Sequence, residues 1–371
     1  YYSFDWGNIH FISLDSHGFE LTSLRLYDTA SPQVVWLKQD LAANTKKWTI
    51  VFLHHPLYTM GSRNSDTEQE LIALRKNISP ILERFGVDLV LSGHSHDYER
   101  SYLLNGYTGN EASFNVSVNA LDSSSAKYDG TANSCVYQTV SGQSAHGTVY
   151  VVTGSAGGES DGIQIDYPHN AMPFSMYQGG MFYFEVEGNR LDAKFIRNDG
   201  VVADNFTIMK DVGVKSEVTI ISGQSTTLTA SWKGNYNWST SSTQKSITVS
   251  PTADSLYTCT DSYGCIIDSF TVKVTPLPPG MGTLPMPVEN IKSLKVYPVP
   301  VAKGELLHIT TSKIDAVDFV LVNISGQTVK RLKVQGNADV NTSDLLPGLY
   351  ILRLVGGGPN DFKKIMIMDH R

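Results

Sequence analysis

Over the first hundred residues, short apolar runs alternate with stretches of helical period. Ile9 to Leu14, Trp48 to Leu53 and Val87 to Leu91 are mostly apolar segments of strand length, as expected for buried strands. Between the first two, Ser31-Pro32 reads as a helix start, an N-cap residue followed by proline at the first helical position. Val34, Leu37 and Leu41 then recur at helical spacing. Leu71, Leu74, Ile78, Leu82 and Phe85 make a second stripe, in which Pro80 predicts a break or kink and Gly86 the stop. Strand–helix–strand–helix–strand is the pattern of an α/β domain.

The pattern then changes. Residues 101–146 are rich in Ser, Asn and Gly without a clear period, and read as a long surface insertion. Strands return at Thr148–Thr153, Met181–Glu187, Leu191–Arg197 and Phe206–Met209. Residues 212–275 hold short alternating segments between turn residues, which predicts a small β-sandwich with Trp238 as its core anchor. Pro276, Pro278, Pro279, Pro285 and Pro287 mark an extended linker over 276–292. Residues 293–371 form a last β unit, with strands such as Phe319–Asn323, Leu349–Leu354 and Lys364–Met368. The expected fold class is therefore multidomain, an α/β domain over 1–211 followed by two small all-β sandwiches.

Composition narrows the function. The 29 basic and 36 acidic residues give a net charge of −7, which excludes a generally basic nucleic-acid binder. No run of about 18 apolar residues predicts a transmembrane helix. Three cysteines exclude a disulfide-built scaffold and a cysteine-rich zinc module. Cys259 and Cys265 flank a hairpin turn and are a candidate disulfide, whereas Cys135 has no evident partner. The chain opens at Tyr1 on strand-like residues with no readable signal peptide, so an internal start is expected.

Two of the three buried strands run into histidine. Trp48–Leu53 leads to His54-His55-Pro56, and Val87–Leu91 leads to Ser92-Gly93-His94-Ser95-His96. Ligands of open α/β sheets bind beyond the carboxyl ends of the strands, so both clusters fall on one functional rim. Gly93 is expected to supply the sharp turn beside a ligand. Imidazole is the commonest metal-ligating side chain, and this convergence points to a metal site.

Gly93-His94-Ser95-His96-Asp97-Tyr98-Glu99-Arg100 resembles the Gly-His-x-His-x-Tyr-Glu-Arg box of purple acid phosphatases, which are calcineurin-like metallophosphoesterases. His54-His55-Pro56 resembles their His-x-Pro box. Tyr1 to Asp15 and Gly147 to Gly154 resemble two further strands of that domain. The resemblance implies part of a four-layer α/β sandwich and a dinuclear centre, iron paired with zinc, manganese or a second iron. It implies that His54 and His94 ligate the divalent metal and His96 the other. Tyr98, Glu99 and Arg100 would be supporting or structural. His55 is not a ligand in that pattern and is a candidate substrate contact. Relatives also place a histidine about ten residues after the His-x-Pro box. Gly61 to Ser65 fills that stretch here, leaving Arg63 and Asn64 as candidate phosphate contacts.

The family's three upstream metal motifs, which carry its bridging aspartate, are not in this sequence. The chain is thus expected to hold the histidine half of the site, to bind one metal weakly and to turn over little alone. The parent protein is expected to hydrolyse phosphate monoesters. A phosphodiesterase or nucleotidase on the same scaffold, and a non-catalytic surface-binding protein, are the alternatives.

Leu228 to Ser239 with Ser246 to Thr252 resembles bacterial immunoglobulin-like or PKD-like modules. Val296-Tyr-Pro-Val-Pro300, Val322 to Lys330, Leu346 to Arg353 and Lys363 to Ile367 resemble, in order, a type A sorting domain of the type IX secretion system. That resemblance implies the secretion machinery as a partner. It also implies a secreted or outer-membrane-surface location in a Gram-negative bacterium.

Overall fold

A computed structural model describes residues 1–17, 25–142, 146–156, 162–276, 294–311, 316–323, 327–355 and 362–369. The chain divides into two compact units, Tyr1–Pro276 and Leu277–Arg371. Most of the expected linker, residues 277–292, lies outside the described residues, as does the centre of the Val322–Lys330 segment.

The first unit is built on β1 (Tyr2–Trp6), β2 (Ile9–Ser13), α1 (Pro32–Ala43), β3 (Trp48–Phe52), α2 (Gln69–Arg84), β4 (Leu89–Ser92) and β5 (Tyr98–Arg100). There follow β6 (Tyr137–Thr139), β7 (Val149–Thr153), β8 (Gly180–Glu187), β9 (Arg190–Arg197) and β10 (Val202–Lys210). One six-stranded sheet has the order β1-β2-β3-β4-β7-β5. Its four central strands are parallel and its two edge strands antiparallel to their neighbours. A second sheet runs β8-β9-β10-β6.

Alternation along the central strands explains the layers. Val51, Val90 and Val152 face the helices and pack with Leu37, Ile78 and Leu82. Ile50, Leu89 and Val151 face the other way and pack with Leu191, Phe195 and Phe206 of the second sheet. The described layers are therefore helix, sheet, sheet, three of the expected four.

Ser31 accepts the backbone N–H of Val34 and caps α1 as its sequence predicts. Helix α2 departs from expectation, because Pro80 lies within it and the helix continues to Arg84. At its end Gly86 takes φ +68°, while Val87 N–H reaches Leu82 and Gly86 N–H reaches Glu83. This pattern satisfies the last carbonyls and needs a residue free to be left-handed.

Three expectations are corrected here. Residues 101–146 are not only a surface insertion. Leu103, Leu104, Val136 and Tyr137 are buried, and β6 pairs in parallel with β10. Low local periodicity reflects short segments buried by tertiary contacts rather than exposure. The Cys259–Cys265 bridge is not formed, since the disulfide joins Cys135 to Cys265 across 130 positions. Cys259 is a buried free thiol, turned into the core beside Trp238 on its strand, Ser255–Thr260. Burial pushes its pKa up to about 11. The anchor of the small sandwich is also shared, because Trp232 is buried more completely than Trp238.

Within 212–275, strands Lys215–Ile221, Ile267–Thr275, Ser255–Thr260 and Asn237–Trp238 form one sheet, and Thr226–Thr229 pairs with Ser246–Val249. Val136 and Met209 from the preceding residues belong to the same core. Asn189 bridges the carbonyls of Lys210 and Ser231, and Tyr128 donates to Asp261 at 2.9 Å. The small sandwich is thus packed, hydrogen-bonded and covalently joined to the residues before it.

In the second unit, Val317–Asn323, Gly348–Leu354 and Phe362–Met368 lie in a five-stranded sheet, and Lys295–Tyr297 lies in a three-stranded one. Phe319, Leu321, Leu352 and Ile365 are buried between them.

Candidate metal centre

Strands β2, β3, β4 and β7 are parallel, so their carboxyl ends meet at one edge. Pairing continues past the strands, with Leu53 N–H donating to Leu91 and Gly93 N–H donating to His54, both at 3.0 Å. This holds the two histidine-bearing loops side by side. Nitrogen atoms of His54, His55 and His94 all lie within 4.8 Å of one another. Nε2 of His54 is 3.0 Å from Nδ1 of His94. The His55 ring centroid is 4.5 Å from that of His94 and 4.8 Å from that of His54. A cavity lined by Ser13, Leu53, His54, Gly93 and Thr153 opens at these strand ends.

The turn geometry differs from the sequence expectation. His94 itself takes the left-handed conformation, φ +66°, whereas Gly93 does not. A non-glycine residue held there costs energy and is sustained only by its surroundings. The glycines that the turn requires lie opposite it. A Cβ on Gly154 would sit 2.1 Å from the Ser95 carbonyl, and one on Gly61 would sit 2.2 Å from an Asp97 carboxylate oxygen.

Electrostatics keep the cluster neutral. Burial, then the neighbouring His94, His54 and His17, lower the His55 pKa to about 4. Burial, then Arg63 and the other histidines, lower His94 to about 4. His54 is lowered by burial and by His17. Neutral imidazoles offer lone pairs at physiological pH.

The other candidates occupy distinct places. His96 lies outside the three-histidine group, and its backbone N–H donates to Ser62 Oγ. It is nevertheless among the neighbours that lower His54 and His94. Arg63 is exposed, and its backbone is tied to Ser95 Oγ. The Asn64 side-chain carbonyl accepts from Asp66 N–H and serves the turn.

Tyr98, Glu99 and Arg100 are completely buried beneath the rim. Tyr98 and Arg100 both donate to Asp204, and the Arg100 guanidinium lies 3.9 Å over Phe174. Glu99 accepts from Thr59 and from Met60 N–H. Burial, then Asp97, raise its pKa well above the usual carboxylate range. Asp97 is raised to about 7, chiefly by burial.

The loop after β2 carries no motif, yet it reaches the same rim. Ser16 Oγ lies 2.9 Å from His55 Nδ1 and accepts His55 N–H. The His17 ring stands 5.1 Å from His55 and 6.1 Å from His54. Glu68 approaches His94 Nε2 at 3.7 Å. The signal was present for His17, which follows a third parallel strand in the same way as the other histidines.

Comparison with known proteins places these features in a class. Residues 2–98 match the calcineurin-like phosphoesterase family, and residues 295–368 match the secretion system C-terminal sorting domain. Purple acid phosphatases are among the curated relatives. Purple acid phosphatase 23 of Arabidopsis thaliana is 32% identical over 111 residues, 29% of this chain and 22% of that protein. Purple acid phosphatase 22 of the same plant is 37% identical over 103 residues, 27% of this chain and 21% of that protein. The chain thus spans about a fifth of the length of the curated relatives it matches. A purple acid phosphatase from yellow lupin, Lupinus luteus, superposes with TM-score 0.43 and 19% identity over 57% of this chain and 32% of that one.

The chain therefore carries a calcineurin-like phosphoesterase region, similar in sequence to part of the purple acid phosphatases, and a type IX sorting tail. That tail marks it for secretion or display at the outer-membrane surface. Among the described residues no helix is long and apolar enough to cross a membrane.

Proposed function

We propose that the parent protein is a secreted, metal-dependent phosphatase acting on phosphate monoesters, and that this chain holds the histidine half of its dinuclear centre. The observation that carries the reading is the convergence of His54, His55 and His94 nitrogens at the carboxyl ends of parallel strands. The donor set fits a metal ion, because the imidazoles are neutral and close together and nitrogen donors suit zinc and iron. It fits one ion better than two. No carboxylate among the described residues belongs to the group, and two cations about 3.5–4 Å apart need an anionic bridge to offset their repulsion.

In this reading His54 and His94 hold the divalent ion and His96 the other, iron with zinc, manganese or a second iron. Such ions, once bound, supply a water of lowered pKa and stabilise charge on phosphoryl oxygens. The protein's own part is to hold the imidazoles neutral, fix the turn around His94 and offer polar groups to the substrate. His55, Arg63 and Asn64 are the candidates for those contacts. Tyr98, Glu99 and Arg100 act from beneath, by fixing the loop that bears His94 and His96. Residues 1–371 alone bind a single ion weakly and turn over little. The small sandwich over 212–275 is an immunoglobulin-like module.

The test is hydrolysis of an aryl phosphate monoester and the matching diester by the parent protein, with and without chelator, beside His94→Ala and His96→Ala. Chelator-sensitive monoester turnover lost in both variants supports the reading. Preference for the diester moves it to a phosphodiesterase. No turnover by a folded, metal-loaded protein leaves a surface-binding role.

A further inference from the structure

We infer that His17 is a substrate-positioning residue of this site, donating an imidazole N–H to a phosphoryl oxygen of the bound ester. The inference rests on the proposed metal-dependent phosphatase reading and assigns a contact that the sequence motifs do not.

The placement is built rather than incidental. Asp15 N–H donates to Gln33 Oε1, and the Gln33 side chain donates back to the Asp15 carbonyl, each at 2.8–2.9 Å. Gln33 is fully buried on α1, so the loop leaves β2 along a fixed path. Ser16 then clasps His55 through both its backbone N–H and its ring. His17 N–H donates to Asp15 Oδ1 at 2.9 Å and closes the turn. These ties present the His17 ring near-parallel to His54, at 16°, and edge-on to His55. His17 is exposed, whereas His55 beneath it is buried. It is thus an exposed imidazole set beside two members of the histidine group.

The chemistry suits the position. An imidazole offers an N–H donor whether neutral or protonated, so the role does not depend on its charge. His17 is not one of the three histidines whose nitrogens lie within 4.8 Å of one another, and the cobalt spectrum below distinguishes a positioning role from ligation.

The test uses the full-length protein loaded with cobalt(II), with inorganic phosphate as the probe. His17→Ala should leave cobalt affinity and the cobalt absorption spectrum unchanged while weakening phosphate binding about tenfold to a hundredfold, the size of one hydrogen bond to a charged group. His17→Gln, which keeps an N–H donor, should restore part of that loss. Unchanged phosphate affinity in His17→Ala overturns the inference. A changed cobalt spectrum also overturns it, by making His17 a ligand. A parent protein that binds no cobalt at these histidines defeats the phosphatase reading itself, a result distinct from both.

Discussion

Nε2 of His54 stands 3.0 Å from Nδ1 of His94, although 40 positions separate the two residues in the chain. The proximity follows from two parallel strands in register, Ile50 opposite Leu89 and Phe52 opposite Leu91, each releasing its histidine just past its last pair. The sheet supplies the geometry and burial supplies the neutrality. Neither histidine needs a local sequence partner to be placed.

The disulfide gives a thiol count. The denatured, unreduced protein should show one reactive thiol, Cys259, and three after reduction. Cys135→Ser should lower unfolding stability by about 2–5 kcal/mol in urea titration. Reductant should affect the parent protein and leave Cys135→Ser unmoved. A thiol count of one with the label on Cys135 would restore the Cys259–Cys265 pairing.

Gly154→Ala tests the close packing beneath the turn. Its Cβ would enter the space of the Ser95 carbonyl. Shifting that backbone should cost about 1–3 kcal/mol and weaken metal binding, since His94 and His96 flank Ser95. Gly93→Ala would meet only ordinary contacts near 3.8 Å. Its effect should be much smaller, and calorimetric titration of both variants checks the order.

Arg100 and Asp204 form a buried pair with Nε to Oδ2 at 2.6 Å. Arg100→Leu leaves the Asp204 carboxylate buried without its cation and should cost about 3–5 kcal/mol. His94→Ala should cost far less stability while abolishing metal binding. Urea unfolding of the two variants separates the structural end of the Gly93–Arg100 motif from its chemical end.

Glu83 carries a pH signature. Burial raises its pKa to about 7 from an ordinary 4.5, against hydrogen bonds from Gly106 and Tyr150. The folded protein therefore holds a proton that the unfolded chain releases between these values. This stability is fully present below pH 4.5 and is lost as pH rises through 7. The buried His169, lowered to about 4, acts in the opposite sense. Glu83→Gln should remove the first contribution only, so its stability should rise with pH relative to the parent across that window. Parallel curves for the two proteins would show that Glu83 is ionised in the fold.

Much of the fold was readable where the local pattern agrees with burial. The three buried strands, the Ser31 cap and the Gly86 stop all appear near their predicted places. Pro80 misled because its missing N–H costs only one helical bond, and α2 is otherwise held by Leu74, Ile78 and Leu82. Residues 101–146 misled because β6 is three residues long and is stabilised by β10, more than sixty positions away. The cysteine pairing depended on which face of a strand Cys259 occupies, and that is settled by packing against Trp238. Strand ends and motif together pointed to the loops bearing His54 and His94, which the fold brings together, whereas His96 lies outside that group and His55 within it; His17 has no motif and is placed through Gln33 and Ser16.

The most direct measurement is calorimetric titration of zinc(II) into the metal-free protein, compared with His54→Ala, His94→Ala and His308→Ala. His308 lies in the second unit, paired with Asp339. A binding event should disappear in the first two variants and survive in the third. Equal zinc affinity in all four proteins would contradict a metal centre at this rim.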